Sequence, residues 1–160
     1  MAEINLSAPQ SGDTVVGLGA AEYVEGVNAG TKIQLDGANG ESCALKVATS
    51  EETGLSGASA TISSLIPAGS HVVGVVGRVT TAVTGASATD VGDGTDVDIF
   101  ANDVAIAVDT TFDLTDSTST GGVGVYAAAN DVVLTAVTSN FTAGAIRVSV
   151  FYYEVNAPGQ

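Results

Sequence analysis

The sequence predicts an all-β protein, an antiparallel β-sandwich of jelly-roll-like form that follows a glycine-rich N-terminal segment with short strands of its own. Three observations predict this class. Val, Ile and Thr occur in short runs separated by Gly, Asn, Asp and Ser, which is the pattern of strands and turns. Long stretches rich in Leu, Glu, Lys or Arg, which favour helices, are missing. The chain also carries 20 glycines in 160 residues, and glycine disfavours helix.

Eleven strands are expected. The four in the N-terminal part are Val15–Leu18, Glu22–Val27, Lys32–Leu35 and Ala44–Ala48. The seven in the rest of the chain are Ala60–Ile66, His71–Val83, Val97–Phe100, Asp103–Val108, Val123–Ala127, Asp131–Val137 and Ala145–Val155. Seven short strands with turns between them are typical of a β-sandwich or a barrel, and we favour the sandwich.

The last of these strands has the clearest pattern. Ile146, Val148, Val150 and Tyr152 alternate with Arg147, Ser149, Phe151 and Tyr153. Alternating side chains point to opposite faces of a strand, so the first set should face the core. The second set is only partly polar. Its two aromatic residues are therefore expected to meet a neighbouring subunit or a second layer.

Two glycines interrupt the strand predicted over His71–Val83. Gly74 and Gly77 stand among valines, and glycine inside a strand often marks a bulge or a close approach of another part of the chain. The turn before this strand is predicted at residues 67–70, and Phe141 is predicted in the connection between the last two strands.

The chain is expected to divide near residue 57. Residues 1–57 are broken by many glycines and can hardly bury a core alone, so we predict an attachment segment or a small β-subdomain there. Residues 58–156 form the predicted sandwich module. Small residues dominate its core, Trp is absent and aromatic residues are 5% of the chain, so association between subunits is expected to add stability.

The charge of the chain restricts its partners. It has 4 Lys and Arg against 18 Asp and Glu, a net charge of 4 − 18 = −14. Phosphate contacts need clustered cations, so neither nucleic acid nor an anionic membrane is expected to bind. There is no basic segment followed by an apolar run at the N-terminus and no long apolar span. We therefore expect a soluble protein made in a cytoplasm.

Residues suited to catalysis are few. The only histidine, His71, lies between a turn and a valine-rich strand, where a structural role is expected, and the only cysteine, Cys43, is interpreted as a small buried apolar residue. One histidine and one cysteine do not supply the ligands of a zinc site. A glycosidase would need two carboxyl groups across an aromatic-lined groove, and the chain lacks Trp. No enzyme activity and no cofactor are predicted.

One predicted loop is strongly acidic. Asp90, Asp93, Asp96 and Asp98 lie within nine residues, with glycines among them, and oxygen ligands on a flexible loop suit Ca²⁺. Their spacing departs from the EF-hand pattern. We therefore favour a solvated turn, in which Asp and Gly serve the backbone geometry, and keep calcium as the alternative.

Four runs resemble the β-sandwich module found at the ends of tail fibres and in small virion structural proteins of tailed bacteriophages. They span residues 66–86, 92–100, 126–136 and 140–152, so the resemblance covers about residues 58–153. It is a pattern of turns and strand starts rather than a catalytic signature. It implies a β-module on a particle surface, often trimeric, and it identifies no catalytic residues in this chain.

Two functions follow from this resemblance. The first is a capsid decoration or head-fibre protein that binds the major capsid protein through its N-terminal segment and projects the sandwich outward. The second is a tail-fibre or receptor-binding module that recognises a host surface. Tail fibres place such a module behind long shafts, whereas 57 residues precede it here, which favours decoration. A homotrimer located in the virion is expected in either case.

Overall fold

The computed structural model describes residues 33–36, 38, 40–116 and 124–157, and within these ranges the chain forms ten strands and no helix. The strands make two antiparallel sheets that pack against each other, as the sequence predicts. The six-stranded sheet contains β1 Ile33–Asp36, β2 Ser42–Thr53, β4 Ser70–Thr84, β7 Thr111–Phe112, β8 Gly124–Tyr126 and β10 Ala143–Asn156. The four-stranded sheet contains β3 Ser59–Ile66, β5 Ala88–Gly92, β6 Ala101–Val104 and β9 Asn130–Val137.

The long strand β10 lies at the centre of the six-stranded sheet. The order is β1-β2-β10-β4-β7, and β8 also pairs with β4. Strand β10 pairs with β2 over twelve residues without a shift in register, and with β4 through several bulges. The facing sheet has the order β3-β9-β5-β6, so the chain crosses between sheets after β2, β3, β4, β6, β8 and β9.

The core lies between the two sheets and is built from alternating residues of the long strands. Ile146, Val148 and Val150 of β10 are fully buried, as the alternation predicts, and Tyr152 is 7% exposed. Burial of each such side chain contributes about 1.5–3 kcal/mol. Loops add the largest fully buried side chains of this core: Leu55, Phe100 and Phe141.

The glycines of β4 mark the irregularities that the sequence predicts. A register shift lies between Phe151 and Tyr152, opposite Gly74 and Val72. At Gly77 a Cβ atom would come within 2.3 Å of the Phe112 ring and 2.6 Å of the Arg147 carbonyl oxygen. Only a residue without a side chain allows the ring to pack there.

Most predicted strands are present, and one is wrong. Residues 97–100, predicted as a strand, form bends in the loop between β5 and β6. Gly92 permits this loop to fold back, since a Cβ there would lie 2.0 Å from the Asp96 carbonyl oxygen. Strands β5 and β7 were not predicted, and the strand predicted over 103–108 ends at Val104. The strands predicted over 15–18 and 22–27 lie outside the described residues.

Strand β2 shows how the N-terminal part joins the sandwich. It comes from the predicted segment 1–57, yet it is hydrogen-bonded along β10, and Gly54 and Leu55 donate their amides to the Gly144 carbonyl oxygen. Residues 42–53 are therefore part of the six-stranded sheet. The division of the chain at residue 57 remains a prediction.

Candidate functional site

The outer face of the six-stranded sheet, meaning the face turned away from the four-stranded sheet, carries the most distinctive surface of the described chain. Arg147, Ser149, Phe151 and Tyr153 of β10 all point to this side, because their neighbours in the strand are buried. Phe151 remains 40% exposed and Tyr153 39%. The described residues thus leave both aromatic rings partly exposed, and the contact with a neighbouring subunit or a second layer remains a prediction.

One end of this face is polar and ion-paired. Arg147 of β10 lies directly opposite Arg78 of β4 in the register, and each arginine has a carboxylate partner. Arg147 Nη2 donates to Glu51 Oε2 at 2.8 Å, and Arg78 Nη2 donates to Asp109 Oδ1 at 2.5 Å. Like charges opposite each other destabilise a sheet, so the two carboxylates offset that repulsion.

Glu51 is held by two donors at this end. The Thr80 hydroxyl donates to its Oε1 atom and Arg147 to its Oε2 atom. The hydrogen bond from Thr80, followed by that from Arg147, lowers the pKa of the Glu51 carboxyl below its ordinary value. A shallow depression of about 220 Å³ lies beside this pair and is lined by Val76, Gly77, Arg78, Arg147 and Ser149.

The other end of the outer face is apolar. A row of residues crosses four strands there, with Leu45 opposite Tyr153, Tyr153 opposite His71, and His71 opposite Val125. Opposite residues of an antiparallel pair have their side chains on the same face. This end is therefore continuous across β2, β10, β4 and β8.

Leu114 extends this end beyond the strands. A Cβ atom at Gly74 would lie 2.0 Å from Leu114 Cδ2, so the leucine packs directly on the glycine. Gly74 is opposite Phe151, which places Leu114 on the same outer face, where it is 57% exposed. We call the exposed apolar residues at this end the apolar patch: Val47, Leu114, Val125, Phe151, Tyr153 and Val155.

Most of the apolar patch was not predicted. The sequence indicated only Phe151 and Tyr153. The alternation of Cys43, Leu45 and Val47 along β2 is a usable signal, since these residues share the face opposite to the buried Ala44. No pattern in the sequence places Leu114, because its position depends on the glycine at 74 in another strand.

The acidic loop is held by hydrogen bonds centred on Asp93. Its Oδ1 atom accepts the amides of Thr95 and Asp96, both at 2.9 Å, and its Oδ2 atom accepts the Tyr126 hydroxyl at 3.0 Å. Burial raises the pKa of the Asp93 carboxyl, but the hydrogen bonds from Asp96, Thr95 and Tyr126 together outweigh it, and the pKa is lowered. Burial, together with the hydrogen bond to Asp93, raises the pKa of the Tyr126 phenol.

The other three aspartates of this loop have different surroundings. Asp90 Oδ1 accepts the amide of Asp103 at 2.8 Å. A hydrogen bond with the Asp96 carboxyl raises the pKa of Asp98. Desolvation and the negative charges of Asp96 and Asp90 also raise it. In the described ranges, no three His, Cys, Asp or Glu side chains are grouped in a way that could hold a metal ion. Asp93 holds the local backbone geometry through the two amides that it accepts, and the solvated turn remains a prediction.

His71 and Cys43 both lie on the six-stranded sheet. His71 is exposed on β4, beside Tyr153. Cys43 was expected to be buried but is only half-buried, because it lies on the outer face of β2 opposite the exposed Val155. The described ranges contain no helix that could span a membrane.

Comparisons with known proteins place the chain in no family. No family model matches the sequence, and no curated protein matches it. Among solved structures, a chain of the Cyanophage Pam1 capsid asymmetric unit is similar, with 18% sequence identity and a TM-score of 0.49. The match covers 88% of this chain and 97% of the other. A similarity of this strength establishes neither a shared family nor a shared function.

Proposed function

We propose that this chain is a non-enzymatic structural protein of a tailed virus particle, a capsid decoration or head-fibre protein that binds the outer shell and projects its β-sandwich. The observation that carries the proposal is the exposed apolar patch on an acidic sandwich, since large exposed apolar patches mark surfaces that bind other proteins. The location that follows is the surface of the virion.

The sequence resemblance supports the same proposal through its place in the fold. The run 66–86 contains the turn at 67–69 and all of β4, and the run 140–152 contains Phe141 and most of β10. These are the two strands that build the centre of the six-stranded sheet. The resemblance thus lies mainly in the two central strands of this sheet.

The strand order supports a finer description of the sandwich. Strands β2-β10-β4-β7 face strands β3-β9-β5-β6, an eight-stranded arrangement in which the chain passes repeatedly between the sheets. Double-sheet jelly rolls of eight strands are common in viral capsid domains. We therefore propose a jelly-roll-like sandwich, extended by β1 and β8.

We propose that the module works as a homotrimer attached through the N-terminal part of residues 1–57. Strand β2, at residues 42–53, is already used by the six-stranded sheet. The part that remains for the major capsid protein is therefore the chain before β1. Short strands of such a segment can add to an exposed edge of another protein.

A tail-fibre or receptor-binding module is the second candidate, and one feature favours it. The depression beside Arg78 and Arg147 presents two guanidinium groups, each engaged through a single nitrogen, on a chain of net charge −14. Guanidinium groups recognise carboxylates and sulfate or phosphate groups. Such groups occur on the polysaccharides of host surfaces.

Attachment to particles tests the proposed function. The full chain and a variant lacking residues 1–32 are each mixed with particles that lack this protein, and bound protein is measured after sedimentation. We expect saturable binding of the full chain and loss of binding in the shortened chain. Failure of the full chain to bind the shell would contradict decoration, and binding only to tails would favour the second candidate.

A further inference from the structure

The apolar patch is comparable in size to the largest such patch on a typical soluble monomer. Val125 and Val155 are each 70% exposed, Leu114 57%, and the three remaining members 39–46%. These fractions correspond to roughly 500 Å² of apolar surface in water, and a patch of roughly 300–600 Å² on a monomer is often functional. The area also matches a standard protein interface, which buries about 800 Å² per partner, of which about three-fifths is apolar.

The shape of the patch suits a flat contact. Its members lie on strands β2, β10 and β8 and in the loop after β7. Val47 is opposite Phe151, and Val125 is two strands from Tyr153, with β4 between them. Side chains of this kind on neighbouring strands form an even layer that packs against another such layer about 10 Å away. The patch therefore fits a firm protein surface better than a small ligand.

Charge indicates which protein surface fits. Copies of a chain with net charge −14 repel each other unless they meet through a region without net charge. The apolar patch contains no charged side chain. The ion pairs Arg147–Glu51 and Arg78–Asp109, at the other end of the outer face, balance to zero. The outer face is thus a region on which copies can approach one another.

We propose that the apolar patch is the contact between copies of this chain, so that the outer faces of the subunits meet around the symmetry axis of the trimer. This inference rests on the proposed function only for the number of subunits. Around a three-fold axis a patch at one end of a sheet can contact both neighbours. The edges of the sheets and the N-terminal part then remain free for other partners.

Sedimentation of the full-length protein at micromolar concentration tests this contact. The wild type is expected near three times 15.7 kDa, and the variant Val47→Asp/Phe151→Asp near 15.7 kDa. Val108→Asp is the matched control, because Val108 is 52% exposed against 46% for Val47 but lies in the loop after β6. It adds one negative charge, as each substitution of the double variant does, and it should remain trimeric. Raising NaCl should strengthen association, because salt screens the repulsion between acidic copies.

A monomeric wild type, or an unchanged assembly in the double variant, would overturn the inference. If the double variant fails to fold, Val155→Asp replaces it, since that residue lies near the end of β10 and is 70% exposed. Particle binding is measured on the same samples. A monomeric variant that still binds particles leaves the proposed function intact, whereas a trimer that does not bind contradicts the function and leaves this contact standing.

Discussion

Asp93 connects the two sheets through a single carboxylate. It follows β5 of the four-stranded sheet, and the Tyr126 hydroxyl that donates to it belongs to β8 of the six-stranded sheet. The same carboxylate fixes the loop by accepting two backbone amides. A hydrogen bond to a charged acceptor is typically worth about 1.5–3 kcal/mol, and solvent around this half-buried group reduces that value.

Substitution of either partner should therefore destabilise the protein. Asp93→Asn and Tyr126→Phe are each expected to lower the free energy of unfolding by about 1 kcal/mol at pH 7. The double variant should lose less than the sum of the two, because both single changes weaken the same bond. Denaturant unfolding of the four proteins measures this coupling, and strict additivity would show that the bond contributes nothing.

The pKa shifts of this pair predict the pH dependence. The pKa of Asp93 is below its ordinary value of 3.8. Its contribution to the free energy of unfolding is therefore fully present above pH 3.8 and is lost as the pH falls through the lower pKa of the folded state. The pKa of Tyr126 is above its ordinary value of 10.0, so its contribution is present below that pH and is lost at higher pH. Asp93→Asn should flatten the acid side of the stability curve. If this variant lost stability at acid pH as the wild type does, the lowered pKa of Asp93 would not be the cause of that loss.

Calcium separates the two interpretations of the acidic loop. We expect added NaCl to stabilise the protein slightly by screening Asp90, Asp96 and Asp98, and millimolar Ca²⁺ to add nothing at matched ionic strength. A ligand that binds only the folded state raises the melting temperature by mass action. A calcium-specific rise of several degrees, abolished by Asp93→Asn together with Asp96→Asn, would make this loop a metal site.

At the scale of elements, the long strands were predictable and the loops between them were not. The alternation in β10 identified its buried face, Gly74 marked a register shift of β4, and Gly77 marked the close approach of Phe112. Strand Val97–Phe100 was wrong because Phe100 enters the core from a bent loop, its amide bound to the Val91 carbonyl oxygen at 2.9 Å. Local propensity cannot register this tertiary contact.

The same limit applies to the candidate site. Phe151 and Tyr153 were predictable because they alternate with core residues in one strand. Val125 and Leu114 join them only through pairing or packing with β4, which depends on the complete fold. A sequence pattern read one strand at a time therefore identified part of the apolar patch and missed its extent.

Strand β2 is expected to be essential for the stability of the six-stranded sheet. Removal of residues 1–32 should leave the free energy of unfolding within about 0.5 kcal/mol of wild type, because the described sheets keep their contacts. Removal of residues 1–50 should cost about 3 kcal/mol or more, because β10 loses most of the strand paired along it. Chemical unfolding of the two truncated proteins makes the comparison. Equal stability of both would show that β2 is not an integral part of the sheet.

For the whole molecule, small core residues, strong negative charge and an exposed apolar patch agree with a subunit that is completed by assembly. Valine is the most frequent residue of the core, and the largest fully buried side chains include only two aromatic residues, Phe100 and Phe141. A monomer with such a core gains little free energy from burial, and the proposed contact between copies would add to it by covering the apolar patch. The net charge of −14 keeps assembled copies soluble at high local concentration.

The number of copies in purified particles tests the central claim most directly. Quantitative mass spectrometry against the major capsid protein gives that number without any assumption about the contact surface. A decoration protein should be present at on the order of hundreds of copies, because closed shells repeat each surface position by symmetry. A handful of copies would favour a tail location instead, and absence from purified particles would contradict a structural role in the virion.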